Sequence, residues 1–231
     1  MHMGQDQNSK ILQQYCPLVK FLSEILGSHC EVVLHDYADP DHSIIAIENG
    51  YLSGRSVGGP VSDMGMRRLK DRKSQVYIAN YMSTAATGRN FRSASYAIRN
   101  FEQEIIGSLC VNIDIAYFEK AAEFLSFFTH IAPVEHDTKQ DAMTMLPSYA
   151  KPIEKLNTSI SDAVGGALNA IVTRMDIDAA HLTPKEKQHI VKQLNEEGVF
   201  ILKGAVAEVA KNLSISEPTV YRYLKSTRDS I

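Results

Sequence analysis

A short run of polar side chains near the carboxyl end of the chain has the spacing of one face of a helix. Apolar Val220, Tyr223 and Leu224 define the opposite face, which we expect to be buried. The polar face carries hydroxyl, guanidinium and ammonium groups with one carboxylate, which are groups that bind phosphates and base edges. Its residues are Ser216, Glu217, Thr219, Tyr221, Arg222 and Lys225. We therefore predict a helix that begins after Ser216, its N-cap, and binds double-stranded DNA.

The residue types on this face predict different roles. We expect Arg222 to contact a base, because its guanidinium fork can bind guanine through two hydrogen bonds. Thr219, Tyr221 and Lys225 are expected to contact phosphates. Glu217 has two interpretations, since it could accept a hydrogen bond from cytosine or compensate the helix dipole, and we favour the dipole.

The segment before this helix has the spacing of a helix-turn-helix. Thr183-Pro184-Lys185-Glu186 predicts a first helix that begins with a capping box. A second helix is predicted from Gly204 to Leu213, and only Leu213-Ser214-Ile215-Ser216 separates it from the third. Small Ala210 permits close approach of the helices, and Ser214 stands at a turn position where glycine is commoner. The alternative is a helical hairpin that serves only packing.

The amino-terminal half reads as a small sheet flanked by helices. Helical spacing of apolar residues from Ser9 to Leu26 predicts one or two helices, which Pro17 divides. Five β-strands are predicted at 31–35, 43–48, 75–83, 92–100 and 104–114, with an irregular crossover after the second. A helix from Ala116 to Phe128 is predicted to close the unit. This order is typical of a PAS-type sensory domain, which we assign to residues 9–128.

Between the two halves the sequence predicts a linker and a connecting helix. Residues 129–150 contain Pro133, Pro147 and a polar run, and are predicted to be the linker. A connecting helix is predicted within 151–182, starting near Pro152 and interrupted at Gly165-Gly166. Its apolar spacing suits either a short dimer seam or packing on its own domain. The helix-turn-helix domain then occupies 183–231. The expected class is α+β: a PAS-like five-stranded antiparallel sheet with flanking helices, a linker helix and an all-α domain.

Several polar residues lie on or beside the predicted strands and could converge on a small ligand. They are His35, Arg55, Arg92, Ser95 and Asn112. Alternatively they satisfy turns and buried backbone groups. No spacing typical of a metal site or a catalytic triad is present, so we expect neither, and no cofactor can be named. Cys110 is expected to be a small core residue, with a redox role the lesser alternative.

Composition and charge agree with an ordinary globular chain of 231 residues. The net charge of −3 divides unevenly: residues 1–182 carry 16 basic and 21 acidic residues, and residues 183–231 carry 8 and 6. The basic excess therefore lies in the predicted DNA-binding domain. No apolar run is long enough to span a membrane, and the three scattered cysteines suit a reducing compartment. We expect a cytoplasmic protein without membrane contact.

Taken together, the two halves resemble the YheO/DauR-like family of bacterial transcriptional regulators over about residues 10–226. The matching segments are Glu31 to Asp36, Asn49-Gly50, Gly54-Arg55, Arg92-Ser93, Ile106 to Asp114, Lys203 to Val206 and Thr219 to Leu224. The last of these also resembles the recognition helix of resolvases and invertases, but nothing upstream resembles their catalytic domain. The family resemblance implies transcriptional control with an unidentified sensory input.

These observations predict a regulator, not an enzyme, that senses a small-molecule effector or partner and binds operator DNA. A homodimer is expected, because a single helix-turn-helix covers few base pairs. Two alternatives belong to other classes. One is a small-molecule enzyme whose carboxyl-terminal helices serve assembly, and the other is a protein-interaction module.

Overall fold

The computed structural model describes residues 2–70, 75–129, 154–175, 177 and 182–228. In this part of the chain a curled six-stranded sheet with flanking helices is followed by a group of four helices, which confirms the predicted α+β class. The predicted linker lies outside the described residues, apart from residue 129. No helix in the described ranges has the length and apolar character that crossing a bilayer requires.

The helices and strands alternate irregularly along the chain. The helices are α1 (His2–Gln13), α2 (Cys16–Leu26), α3 (Asp63–Lys70), α4 (Ala116–Thr129), α5 (Ile160–Met175), α6 (Pro184–Glu196), α7 (Ala205–Asn212) and α8 (Glu217–Arg228). The strands are β1 (Cys30–Asp36), β2 (Ile44–Glu48), β3 (Tyr77–Ala85), β4 (Asn90–Arg99), β5 (Ile105–Asp114) and β6 (Glu154–Leu156). Single 3-10 turns lie at Pro40–His42, Gly50–Leu52 and Val199–Ile201.

The sheet has the strand order β2-β1-β5-β4-β3-β6. The first five strands pair antiparallel, whereas β6 pairs parallel with the edge of β3. The sequence had predicted helix from Pro152 onwards, and this was wrong for 154–156. Glu154 and Leu156 are buried and Lys155 between them is exposed, which is the alternation of a strand. The helix begins only at Ile160, and it continues through Gly165-Gly166 without a break.

Alternation along the strands gives the sheet an apolar outer face and a polar inner face. On the outer face Val32, Leu34 and Ile98 are fully buried beneath α1 and α2, where they contact Leu12 and Val19. Pro17 lies in the first turn of α2, which accounts for the division into two helices. The inner face is covered by the crossover between β2 and β3, which contains α3.

Helices α5 to α8 share one apolar core, which includes Ile171, Ile190 and Val220. Tyr37, Val61 and Met66 of the amino-terminal half belong to the same core. The inward face of α5 is therefore covered by residues of the same chain. The two halves are joined by buried apolar contacts as well as by the chain itself.

Candidate functional site

The inner face of the sheet is lined by polar side chains from three neighbouring strands. Strand pairing sets Glu31 opposite Asn112, His35 opposite Ser108, and Ser95 opposite Cys110. All six side chains are buried. Buried polar groups are costly unless they have hydrogen-bond partners, so this face has a role other than hydrophobic packing.

An ion pair between Glu31 and Arg55 lies at one end of this face. Arg55 follows the turn at Gly50–Leu52, and its Nη2 donates to Glu31 Oε1. The Ser53 hydroxyl donates to Oε2 of the same carboxylate, and Asn112 Nδ2 donates to Oε1 at 2.8 Å. Each carboxylate oxygen is therefore satisfied, which a buried ion pair requires.

His35 lies beside this pair and is held in its neutral form. Its Nδ1 shares a hydrogen bond of 2.9 Å with the Ser43 hydroxyl. Burial, together with the nearby positive charge of Arg55, lowers the pKa of His35 from 6.5 to about 3. The imidazole is therefore a fixed polar group at neutral pH, not a proton switch.

A second group of polar contacts surrounds Arg68, which α3 carries into the interior. Arg68 Nη1 donates to Ser95 Oγ at 3.1 Å, and the Cys110 thiol donates to the same oxygen at 3.3 Å. The Tyr37 and Ser108 hydroxyls share a hydrogen bond of 2.8 Å. Burial, with the negative charge of Glu154, raises the pKa of the Cys110 thiol, so it stays protonated and unreactive.

Strand β6 adds a carboxylate to this group. Ser62 Oγ donates to Glu154 Oε1 at 2.5 Å. The Tyr81 ring is buried near the same carboxylate, and burial together with the charge of Glu154 raises the pKa of its hydroxyl. Neither Glu154 Oε2 nor the Tyr81 hydroxyl meets hydrogen-bond geometry with a described residue.

Four buried polar atoms on this face have no hydrogen-bond partner among the described residues. They are Arg68 Nε, Tyr81 Oη, Asn112 Oδ1 and Glu154 Oε2. The set contains donors and acceptors, with one positive and one negative group. Such a set can bind a small polar molecule that offers the complementary groups.

The structure brings four of the five predicted ligand-binding residues together: His35, Arg55, Ser95 and Asn112 are all buried on the inner side. Arg92 does not join them. It lies opposite Met82 on the exposed outer face of β4, because side chains alternate along a strand and position 92 differs from 95 by an odd number. Four further residues of this face were not predicted from the sequence: Glu31, Arg68, Tyr81 and Glu154. Only Glu31 had a signal, since it shares the parity of His35 on β1.

The carboxyl-terminal helices form the predicted helix-turn-helix. The capping box is present at the start of α6, with Thr183 and Glu186 as its members. Between α7 and α8, Ser214 adopts a φ of 50°, in the left-handed region. The Ile215 amide donates to the Ala210 carbonyl at 3.0 Å, which closes the end of α7 in the manner of a Schellman motif. The turn thereby sets the angle between the two helices.

Helix α8 presents a polar face to solvent. Val220 is fully buried, and Tyr223 and Leu224 are half-buried against the helical core. Of the six predicted DNA contacts, Thr219 is half-buried and the others are exposed: Ser216, Glu217, Tyr221, Arg222 and Lys225.

Two local contacts order this face. Ser216 and Thr219 share a hydrogen bond of 2.9 Å between their hydroxyls. The Arg222 guanidinium lies 5.6 Å from the centroid of the Tyr223 ring, a cation–π distance.

Helix α3 connects the polar interior with the carboxyl-terminal helices. Its Arg68 is buried in the interior, whereas Met66 belongs to the core of the carboxyl-terminal helices. Lys70 Nζ donates to the carbonyls of Asn195 and Glu196 at the end of α6. Lys70 also lines a cavity of about 810 Å³ that includes Tyr221 and Lys225 of α8.

A second connection runs from the loop after β1. Asp41 accepts a hydrogen bond from the Lys203 amide at 3.0 Å, and Asp39 lies 3.5 Å from Lys203 Nζ. Tyr37, from the same loop, packs its ring into the helical core while its hydroxyl bonds Ser108. In the described ranges, no three His, Cys, Asp or Glu side chains form a metal-binding group.

Comparison with known proteins gives the class. Residues 5–130 match the YheO-like PAS domain, and residues 165–225 match a helix-turn-helix domain. A protein of Haemophilus influenzae is 31% identical over 225 residues, which cover 96% of this chain and 94% of that protein. The chain belongs to the family of proteins with a YheO-like PAS domain.

Two further relatives cover nearly the same length. YheO of Escherichia coli is 31% identical over 217 residues, covering 93% of this chain and 84% of that protein. The transcriptional regulator DauR of Pseudomonas aeruginosa is 27% identical over 220 residues, covering 94% and 95%. The pairing of a PAS-like domain with a helix-turn-helix domain indicates a transcriptional regulator.

Similarity to solved structures is low. The LOV domain of the blue-light photoreceptor Aureochrome1 matches with a TM-score of 0.28 and 18% identity, over 49% of this chain and 94% of that one. A complex of Vibrio cholera VqmA with ligand and DNA matches with a TM-score of 0.27 and 11% identity, over 88% and 86%.

Proposed function

We propose that the protein binds operator DNA sequence-specifically through the exposed face of α8. The observation that carries this proposal is the orientation of α8, which buries Val220 and leaves Tyr221, Arg222 and Lys225 exposed at the end of a tight turn. Arg222 would contact a base edge, while Tyr221 and Lys225 would contact phosphates. Such a regulator acts on chromosomal DNA and therefore in the cytoplasm.

The protein would bind DNA as a homodimer. One helix in the major groove reads only a few base pairs, so two copies separated by one turn of DNA are needed for a selective site. The expected operator is therefore a two-fold symmetric sequence.

The sheet interior would bind a small polar effector. The unpartnered atoms of Arg68, Tyr81, Asn112 and Glu154 support this proposal, because each would gain a hydrogen bond from a ligand. His35, Arg55 and Ser95 would form the surrounding polar wall.

Helix α3 would transmit occupancy of the interior to the DNA-binding helices. A ligand shifts a conformational equilibrium only by its difference in affinity between the two states. Arg68 is where a ligand would act on α3, and Met66 and Lys70 are where α3 contacts the carboxyl-terminal helices.

Selection of bound sequences from random duplex DNA tests the proposal. The full chain should enrich a two-fold symmetric motif, and Arg222→Ala should enrich it less or lose one position in each half. If no sequence is enriched, DNA reading by α8 is wrong and a protein-interaction module takes its place. A compound that binds the interior and is chemically converted would favour the enzyme alternative.

A further inference from the structure

Helix α4 is apolar, yet none of its described side chains is buried. Tyr117, Phe118, Phe124 and Phe128 are 65, 69, 64 and 69% exposed, and Leu125 is 62% exposed. The sequence predicted that this helix would close the sheet domain with its apolar side. In the described part of the chain, that side instead faces away from the domain.

Most of the exposed apolar residues form one continuous stripe along the helix, and Phe127, which is 76% exposed, lies outside it. At about 100° per residue, six positions fall within less than half of the circumference. This α4 stripe consists of Tyr117, Phe118, Ala121, Phe124, Leu125 and Phe128. Glu119, Glu123 and Ser126 lie on the opposite side. An amphipathic helix with so wide an apolar stripe normally buries it against another element.

Helix α2 also exposes apolar residues. Its Leu18, Phe21 and Ile25 are spaced on one face and are 38, 56 and 65% exposed. The rings of His29, just after α2, and Tyr117, at the start of α4, meet with centroids 5.0 Å apart. The end of α2 therefore lies close to the start of α4.

The size of this surface is that of a stable interface. The four aromatic side chains of the α4 stripe leave roughly 500 Å² of apolar surface exposed, at about 200 Å² for each complete ring. Leu125 and the exposed residues of α2 bring the total near the roughly 800 Å² that each partner buries in a standard protein interface. Exposed apolar patches of this size mark interaction sites.

We propose that the α4 stripe, extended by α2, pairs with the same surface of a second copy of this chain. An apolar stripe is self-complementary, which a two-fold interface requires. The role of this dimer rests on the proposed function, because two chains joined at α4 would bring two copies of α8 to the two halves of an operator.

Charge argues for a protein partner over a lipid surface. The side of α4 outside the stripe carries Phe127 and three charged residues, which are Glu119, Glu123 and a single Lys120. Helices that lie on anionic membranes carry an excess of Lys and Arg on this side. Here the charges sum to −1, so the helix has no attraction for such a surface.

Sedimentation of the full chain, without DNA, tests the pairing. The wild type should be a dimer at micromolar concentration, and Phe124→Asp should raise the dimer dissociation constant by about 100-fold or more, because each dimer would then bury two unpaired charges. Phe101→Asp is the matched control, since Phe101 is 75% exposed in the turn between β4 and β5. It should leave the constant unchanged, and circular dichroism should show that both variants are folded.

A second measurement does not depend on any variant. Hydrogen exchange of the α4 amides should slow as protein concentration rises through the dimer dissociation constant. A monomeric wild type, whether α4 is open or covered by another segment of the chain, would overturn the pairing, as would a dimer that Phe124→Asp leaves intact. Association of a monomer with neutral lipid vesicles through α4 would also overturn it.

Failure of the pairing and failure of DNA binding give different results. If the pairing holds and the proposed function is wrong, the wild type forms the dimer but selects no DNA sequence. If the proposed function holds and the pairing is wrong, DNA selection succeeds and Phe124→Asp selects the same motif as the wild type.

Discussion

Individual side chains on the inner face of the sheet divide into satisfied and unsatisfied groups. The Glu31 carboxylate receives hydrogen bonds from Arg55, Ser53 and Asn112. Removing any of these partners would leave the buried negative charge incompletely compensated, which destabilises the fold. The Tyr81 hydroxyl, by contrast, is buried without a partner among the described residues. These two kinds of residue should respond to substitution in opposite directions.

Tyr81→Phe should therefore stabilise the ligand-free protein. Removing an unsatisfied buried hydroxyl should raise the free energy of unfolding by roughly 1 to 2 kcal/mol, the lower part of the cost of an unpaired buried group. Urea unfolding followed by circular dichroism measures this change. Ser53→Ala is the contrasting variant and should destabilise, because it removes a donor to Glu31. Destabilisation by Tyr81→Phe would mean that the hydroxyl has a partner in the ligand-free protein.

The pH dependence of the free energy of unfolding should report the protonation of His35. Its pKa is about 3 in the folded chain and 6.5 without the fold, so the unfolded chain alone takes up a proton as the pH falls below about 6.5. The stability that depends on neutral His35 is thus present above pH 6.5 and is lost progressively towards pH 3.

His35→Gln removes this proton uptake while keeping a neutral polar group. The free energy of unfolding should fall less steeply for this variant than for the wild type between pH 6.5 and 4, as measured by urea unfolding at each pH. His189→Gln makes the same substitution at an exposed position and serves as the control. An unchanged slope in His35→Gln would show that the folded chain accepts the proton.

Part of the residue set could be found from the sequence by parity alone. His35 and Glu31 lie an even number of positions apart on β1, and both face inward. The same rule excludes Arg92 from a site that contains Ser95, so the prediction that Arg92 joins this site was wrong. Arg68 and Glu154 had no comparable signal, because helix packing and a distant strand pairing bring them to the face.

Secondary-structure elements were predictable where a periodic apolar pattern extends over many residues. The first five strands and the helices of the helix-turn-helix follow from alternation, capping and turn residues. Strand β6 has only three residues and depends on the free edge of β3, so no local period could reveal it. Its Leu156 also fits the helical spacing of Ile160, which explains the error.

The turn between α7 and α8 should tolerate glycine better than its present residue. Ser214 has a φ of 50°, a conformation that costs roughly 1 to 2 kcal/mol for a residue with a Cβ atom. Glycine avoids this cost but loses more entropy on folding, by about 0.5 to 1 kcal/mol. Ser214→Gly should thus raise the free energy of unfolding by about 0.5 kcal/mol in thermal or urea unfolding. Ser214→Val should lower it, and a stabilising valine would contradict the left-handed turn.

The contact of α3 with α6 should be visible in hydrogen exchange. Lys70 donates to carbonyls at the end of α6, where a positive charge contributes roughly 0.3 to 1 kcal/mol. In Lys70→Ala the amides of residues 195–201 and of α3 should exchange about two- to five-fold faster together. Lys20→Ala is the control, because the Lys20 side chain lies on the solvent-exposed side of α2. A change confined to α3 would show that the two elements open independently.

In the whole molecule the two halves share one core. Tyr37 packs its ring among the carboxyl-terminal helices and bonds Ser108 inside the sheet, and α3 spans the same boundary. The sequence predicted both halves and a linker between them, but no feature of it indicated this shared core. Contacts between distant segments produce no periodic pattern in the local sequence, so they could not be predicted from it.

The most direct test of base recognition by α8 is the affinity of the full chain for its selected DNA site, measured with each base pair substituted in turn. Arg222→Ala should lose about 1 to 3 kcal/mol on the correct site for each copy bound and relax preference at one base pair in each half, at positions related by the two-fold axis. Lys225→Ala is the matched control and should weaken all sequences alike, lowering the magnitude of the salt slope by about one for each copy bound. A uniform loss for Arg222→Ala, or none, would contradict base contact by this helix face.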